Sequence, residues 1–270
     1  MPKISLLSVA YNAERYIGEM INSVLSQTFR DFEFILYDDA SADRTLEIAS
    51  SFKDPRITIL SGATNRGQSG CIPELIDALS GKYIGWVDAD DMLRVHTLEA
   101  TNWVLDQYPQ YGLVYTDHFE MDEQSKITHV GQRSKYPYSK DNLLRHFMAF
   151  HFRLFRHELY AKIEPLNPAH RVAQDFEFCI KMSEVTDFIH LPMPLYQYRA
   201  HTASLSNQKY REQSEVCLAL IKDALIRRGD HQTQVELSYK NGLARYRFFD
   251  EPVAGMQTSP FWNDNVNVLK

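Results

Sequence analysis

The sequence predicts an α/β fold in which a mostly parallel central sheet is flanked by helices. Three observations predict it. Over the first ninety residues, short apolar runs alternate with segments of helical spacing, and the links between them are brief. Two acidic clusters, Asp38-Asp39 and Asp88-Ala89-Asp90-Asp91, stand directly after two of the apolar runs. Strand-helix alternation with short links builds a parallel sheet covered on both faces. Ligands of such sheets bind beyond the carboxyl ends of the strands, near the switch point.

Each element follows from its own pattern. Residues 4–10 form a short apolar run, as a buried strand does. Residues 12–27 place Tyr16, Met20 and Val24, with Ile17, Ile21 and Leu25 one position on, along one helical face. Residues 32–37 return to strand, and Ser41 is a candidate cap for a helix carrying Leu46, Ile48 and Ala49. Residues 57–60 read as a third strand, 74–79 as a third helix and 82–87 as a fourth strand. A helix over 97–107 closes at Tyr108-Pro109, and 112–116 is again a strand, followed by a polar turn at Asp122-Glu123. Residues 135–141 show no period and read as a loop. Beyond them, 150–155 is strand-like and 156–162 helical, a helix follows Asp175, and 188–191 and 195–198 are two short strands. A long helix is expected over 209–228, before a poorly patterned tail with Pro252 and Pro260.

Composition narrows the class. The 270 residues are 44% hydrophobic and 24% charged, ordinary for a soluble globular enzyme. No stretch approaches the ~18–20 apolar residues of a membrane span. The opening Met1-Pro2-Lys3 runs straight into strand with no apolar leader, so a cytoplasmic chain is expected. Three scattered cysteines form neither a disulfide framework nor a Cys-x-x-Cys site. A net charge of −6 gives no footprint for a nucleic acid polymer, although a local site could still take a phosphorylated small molecule.

Three carboxylates packed into Asp88-Ala89-Asp90-Asp91 repel one another unless a cation or ordered solvent compensates. A hard cation such as Mn²⁺ or Mg²⁺ takes oxygen ligands and completes its shell with substrate phosphates. The competing reading is an acidic turn ahead of the helix at Thr97. Asp38 and Asp39 suit a base N–H or a ribose hydroxyl, and equally the cap of the next helix. Both clusters sit at one edge of the predicted sheet, which would lay a nucleotide across the switch point. Neither Gly-x-Gly-x-x-Gly nor a Walker loop is present, so phosphate binding falls to a metal.

These motifs, in this order, resemble the family 2 glycosyltransferases of GT-A fold over roughly residues 3–206. The resemblance is carried by the first strand ending in Tyr11-Asn12, Ser23-Val24-Leu25-Ser26-Gln27-Thr28, and Asp31 through Asp38-Asp39-Ala40-Ser41. Asn65-Arg66-Gly67, Gly81-Lys82-Tyr83-Ile84 and Asp88-Ala89-Asp90-Asp91 continue it. It implies an inverting transfer from a nucleotide-diphospho-sugar, a UDP-sugar on family habit, to a saccharide or lipid-linked acceptor. Val9, Tyr11 and Asp39 would then hold the base, with Tyr11 stacking. Asp90 would contact the ribose or the metal, Asp91 the metal, and Asp88 would ligate or support, as would Asp38.

Ala173-Gln174-Asp175 resembles the family's Glu-Asp segment, whose Asp is the general base; here Gln174 replaces the Glu. Asp175 otherwise reads as a helix cap. Arg199 and His201 resemble the closing Arg-x-His motif and could contact the diphosphate or the metal. Ile72-Pro73 stands where the family often has Arg-Asn, leaving Arg66 to supply any lost contact. His146, His151 and His157, in an aromatic-rich stretch, read as structural.

The expected organisation is a nucleotide-sugar-binding half over 1–110, an acceptor half over 111–206 sharing its sheet, and a mainly helical extension over 207–270. The apolar stripe of 209–228 (Val216, Leu220 and neighbours) would pack on the catalytic domain, form a homodimer or dock peripherally on a membrane. Two rival functions are a catalytically silent sugar-nucleotide-binding relative and a nucleotidyltransferase. Intact Asp90, Asp91 and Asp175 speak against the first, and the absence of a glycine- and basic-rich loop after the first strand against the second.

Overall fold

Ile4–Ala10 (β1) is buried at every position, as a strand covered on both faces must be. In the computed structural model, which describes residues 1–202, 204–240 and 242–249, it leads into Ile17–Leu25 (α1), whose Ile17, Met20, Ile21 and Val24 are buried at helical spacing. The helix begins later than 12–27 because Asn12 is left-handed, with φ 48°. Its N–H donates to Ser41 Oγ at 2.9 Å, and its Oδ1 accepts from the Ala42 N–H at 2.8 Å. Ser41 thus ties two loops together instead of capping a helix. Phe32–Asp38 (β2) precedes Thr45–Ser50 (α2), where Asp43 Oδ1 accepts the Thr45 N–H at 2.9 Å.

Ile57–Ser61 (β3) is followed by Gly67–Asp77 (α3), which starts two turns before the expected 74–79 and contains Pro73. Tyr83–Trp86 (β4), Met92–Leu93 (β5) and Thr97–Gln107 (α4) come next. Tyr111–Met121 (β6) and Ile127–Val130 (β7) pair across the polar turn at Asp122. Lys140–His146 (α5) is a helix whose first two residues fall in the expected loop 135–141. Ser139 Oγ caps it, accepting the Asn142 N–H at 3.0 Å.

Arg153–Arg156 (β8), His157–Tyr160 (α6), Gln174–Val185 (α7) and Asp187–Arg199 (β9) complete the main body. The two short strands expected at 188–198 are one strand. Its register against β6 shifts between Thr116 and His118, which breaks the sequence pattern without breaking the strand. Then follow Leu205–Gln208 (α8), Tyr210–Arg227 (α9), Gln234–Lys240 (β10) and Leu243–Phe249 (β11).

One sheet runs β3-β2-β1-β4-β8-β6-β9-β5, with β7 on β6. The strands β3, β2, β1 and β4 are parallel, as expected of the first half. The second half is mixed, because β8 lies antiparallel between β4 and β6. The two sheet faces bury separate apolar clusters, one around Leu6, Phe34 and Val114, the other around Trp86, Tyr115 and Phe178.

Beside its expected helix, the extension carries an antiparallel hairpin of β10 and β11. The run Gln234-Val235-Glu236-Leu237-Ser238-Tyr239-Lys240 alternates with period two, the signature of a strand and not of a helix. Pro252 and Pro260 lie outside the described residues. The stripe on α9 is covered by the main body: Leu220, Ile221, Ala224 and Leu225 form one buried cluster with Leu144, Phe176 and Ile180. Ile226 of this helix remains exposed. Among the described residues, no helix is long and apolar enough to cross a membrane.

Candidate active site

Every sequence-predicted site residue from Val9 to His201 lies beyond or near the carboxyl ends of β1, β2, β4 and β9, or on the loops and helices that follow. Val9 is buried near the end of β1, and Tyr11, just past it, is 51% exposed, a free aromatic face. Asp39, 1% exposed, is engaged by the start of α3. Its Oδ1 accepts the Arg66 N–H at 2.9 Å and its Oδ2 the Gly67 N–H at 2.7 Å, with Cys71 Sγ 3.3 Å from Oδ1. Gly67 has φ +71°, a conformation that side-chain-bearing residues rarely adopt. These bonds explain the early start of α3. They also occupy much of the carboxylate expected to read a base. The Arg66 guanidinium turns to Glu74 at 2.8 Å and lies over the Tyr37 ring. Asp38, buried, accepts the Ser41 N–H through Oδ2, and its Oδ1 has no hydrogen-bond partner.

The loop between β4 and β5 gathers the acidic residues. Asp91 is 1% exposed; its Oδ1 accepts the Arg199 N–H at 2.7 Å, while Oδ2 has no hydrogen bond. Burial pushes its carboxyl well above the usual range and the charges of Asp90 and Asp88 push it further, partly offset by the Arg199 N–H. Burial, then Asp90 and Asp175, raise Asp88 to about 7. Asp90 meets His201, with Oδ2 2.8 Å from Nε2, and the His201 ring packs on Tyr16.

Arg199 is a clamp. Its Nε donates to the Asp90 carbonyl at 2.6 Å, one terminal nitrogen donates to Ser125 Oγ at 2.7 Å and the other to Glu19 Oε2 at 2.9 Å. Its guanidinium also covers the Tyr16 ring. Its donors are therefore spent on the β4–β5 loop, α1 and the β6–β7 turn.

Sequence reasoning missed His151. It is buried, and one nitrogen lies with oxygens of Asp88 and Asp91 in a group whose ligand atoms are all within 4.8 Å of one another. His151 Nε2 is 3.4 Å from Asp88 Oδ2. Burial, then the charge of Arg153, hold the ring well below the usual histidine range, so it is neutral. Nothing in the aromatic stretch around Phe150 distinguishes it from a packing residue, because its partners come from loops remote in sequence. The oxygen-rich set with an unpartnered buried Asp91 Oδ2 fits a hard divalent cation.

Asp175 is the second residue of α7 and does not cap it; Ala173, left-handed at φ 59°, holds that position. The Asp175 Oδ2 lies 3.9 Å from an Arg153 terminal nitrogen. The charge of Asp175 adds to that of Asp90 in raising Asp88.

Residues 5–164 match the model of the glycosyl transferase family 2. The chain belongs to that family. The expected family is the one found. Among relatives, the chain is 29% identical over 235 residues to a chondroitin synthase of Escherichia coli, covering 85% of this chain and 33% of that one. It is 28% identical over 232 residues to a hyaluronan synthase of Pasteurella multocida, covering 85% and 24%. The chain thus spans a third or less of the length of these relatives.

The fold is that of GT-A glycosyltransferases. The S. aureus TarS fragment 1–349 in complex with UDP superposes with a TM-score of 0.67 at 19% identity, over 83% of this chain and 65% of that one. The mannosyltransferase PcManGT of Pyrobaculum calidifontis, in complex with GDP-Man and Mn²⁺, gives 0.61 at 18% identity, over 84% and 64%. The family match ends before α7, so Asp175, Arg199 and His201 lie beyond it.

Proposed function

We propose that this chain transfers a sugar from a nucleotide-diphospho-sugar, a UDP-sugar, to a hydroxyl of a saccharide or lipid-linked acceptor, with inversion at the anomeric carbon. The observation that carries this reading is the grouping of Asp88 and Asp91, with His151, within 4.8 Å, a buried Asp91 oxygen lacking a hydrogen bond there, and the charges of Asp90 and Asp175 acting on Asp88. Tyr11 offers its exposed ring to the base beside Val9, and Asp39 fixes the start of α3 at the same sheet edge. Asp90 and Asp91 would hold Mn²⁺ or Mg²⁺, with His201 and Asp88 beside them. The ion, when bound, neutralises charge on the departing diphosphate. Asp175 accepts the proton of the acceptor hydroxyl as that oxygen attacks. Arg153 stands beside Asp175, a terminal nitrogen 3.9 Å from its Oδ2.

The donor base is argued from the family and from TarS, which binds UDP; PcManGT binds GDP-Man, so the base is the point to test. Melting the protein with UDP, GDP, dTDP or CMP, each in Mn²⁺ and in EDTA, tests it. UDP should raise the melting temperature in Mn²⁺ and lose that effect in EDTA. Asp175→Asn should keep the shift while donor turnover falls by ~10²-fold or more. A shift from GDP alone would replace the donor; no shift with any nucleotide would return weight to a silent relative.

A further inference from the structure

Six side chains close a ring between the acidic cluster and Asp175. The Asp175 Oδ2 faces an Arg153 terminal nitrogen at 3.9 Å, and the other Arg153 terminal nitrogen lies 3.3 Å from His151 Nδ1. His151 Nε2 is 3.4 Å from Asp88 Oδ2. The other Asp88 oxygen accepts from Gln68 Nε2 at 3.2 Å, and Gln68 Oε1 accepts from Gln174 Nε2 at 2.5 Å. The peptide bond from Gln174 to Asp175 completes the circuit. It joins the loop after β4, α3, α7 and the start of β8.

Donor and acceptor chemistry fixes the direction of every link. A guanidinium only donates, so His151 Nδ1 must accept from Arg153, and the neutral ring carries its proton on Nε2. That proton faces Asp88, which leaves His151 no lone pair for a cation. On the other arm the Gln68 NH₂ is committed to Asp88, to which its Nε2 donates. Gln68 then presents its oxygen to residue 174, where only a donor is tolerated. The family resemblance expects Glu at this position; a carboxylate there would face the Gln68 oxygen. If Gln68 turned over, its oxygen would face Asp88 instead. Both arrangements set acceptor against acceptor in a half-buried site, where an unmade bond is costly.

We infer that Gln68, Gln174, His151 and Arg153 are positioning residues that lock Asp88 to Asp175, and that Gln174 replaces the family's Glu because Gln68 requires a donor there. His151 is accordingly an orienting donor to Asp88 and not a metal ligand. The inference deepens the transferase reading and rests on its assignment of Asp175.

The test compares wild type, Gln174→Glu, and Gln174→Glu combined with Gln68→Lys, whose ammonium can donate both to the carboxylate introduced at position 174 and to Asp88. Melting temperature in EDTA at about pH 8.5, where Asp88 has lost its proton, reads the ring without reference to activity; kcat and donor KM read positioning. Gln174→Glu should melt lower and lose tenfold or more in kcat with KM changed by less than threefold, and the added Lys should recover most of both. A Gln174→Glu protein that melts and turns over like wild type overturns the inference, as does a loss that Lys fails to recover. If wild type turns over no donor while the melting temperatures still fall and recover, the ring stands and the transferase reading fails.

Discussion

Asp39 and Asp91 are both buried carboxylates at the same edge of the sheet, and the fold treats them in opposite ways. Asp39 receives the backbone N–H groups of Arg66 and Gly67, so its charge is matched by donors that cannot be withdrawn without opening α3. Asp91 receives one N–H, from Arg199, and leaves Oδ2 without a bond beside two other carboxylates. Replacing a satisfied charged acceptor costs about 2 kcal/mol, whereas an amide in place of a carboxyl that burial and its neighbours keep protonated in the metal-free state removes no charge. Asp39→Asn should therefore lower the melting temperature in EDTA by roughly 4–8 °C, at ~2–4 °C per kcal/mol for a chain of this size. Asp91→Asn should hold or raise it in EDTA and abolish stabilisation by Mn²⁺. Equal losses for the two variants would mean that Asp91 is satisfied without a cation.

At the scale of elements, what could be read in advance depended on whether the deciding contacts were local. Strands β1, β2 and β4 and helices α1 and α4 carry their burial pattern in their own residues, and the acidic clusters follow strands, so site and sheet edge were legible together. Helix α3 was underestimated because its start is fixed by Asp39, 27 and 28 residues before the N–H groups it receives. The α9 stripe was visible, but its partner was not, since α5 and α7 meet it only in the folded chain. That contact gives α9 a role next to the proposed base. Leu220 shares a buried cluster with Phe176, the neighbour of Asp175. Leu220→Ala should cost about 2–5 kcal/mol, the range for truncating a buried leucine. Thermal or urea unfolding checks it; a cost below about 1 kcal/mol would show that the extension is not packed as part of the core.

At the scale of the whole molecule, buried titratable groups make stability depend on pH in two opposing ways. Asp88, raised from 3.8 to about 7, and Asp91, raised well above 3.8, hold protons in the metal-free folded state that the unfolded chain has already released. The folded state then binds more protons than the unfolded one, so their contribution falls as pH rises from about 4 through 7. His151, held well below 6.5, and His118, lowered to about 3 by burial, act with the opposite sign. The unfolded chain takes protons below 6.5 that the folded one refuses, and stability is lost as pH falls. A cation bound by the cluster must displace the carboxyl protons, while the histidine contribution is common to both forms and cancels in their difference. Each displaced proton is worth about 1.4 kcal/mol per pH unit, or roughly 3–5 °C for a chain of this size. The melting temperature in saturating Mn²⁺ minus that in EDTA should therefore widen as pH rises from about 6 to 8, most steeply at the acid end, where Asp88 still holds its proton. A difference that stays level across that interval would mean the cluster is already ionised before the metal arrives. Compensation for its charge would then come from the Arg199 N–H and Tyr196 at Asp91 and from Arg153 and Gln68 at Asp88.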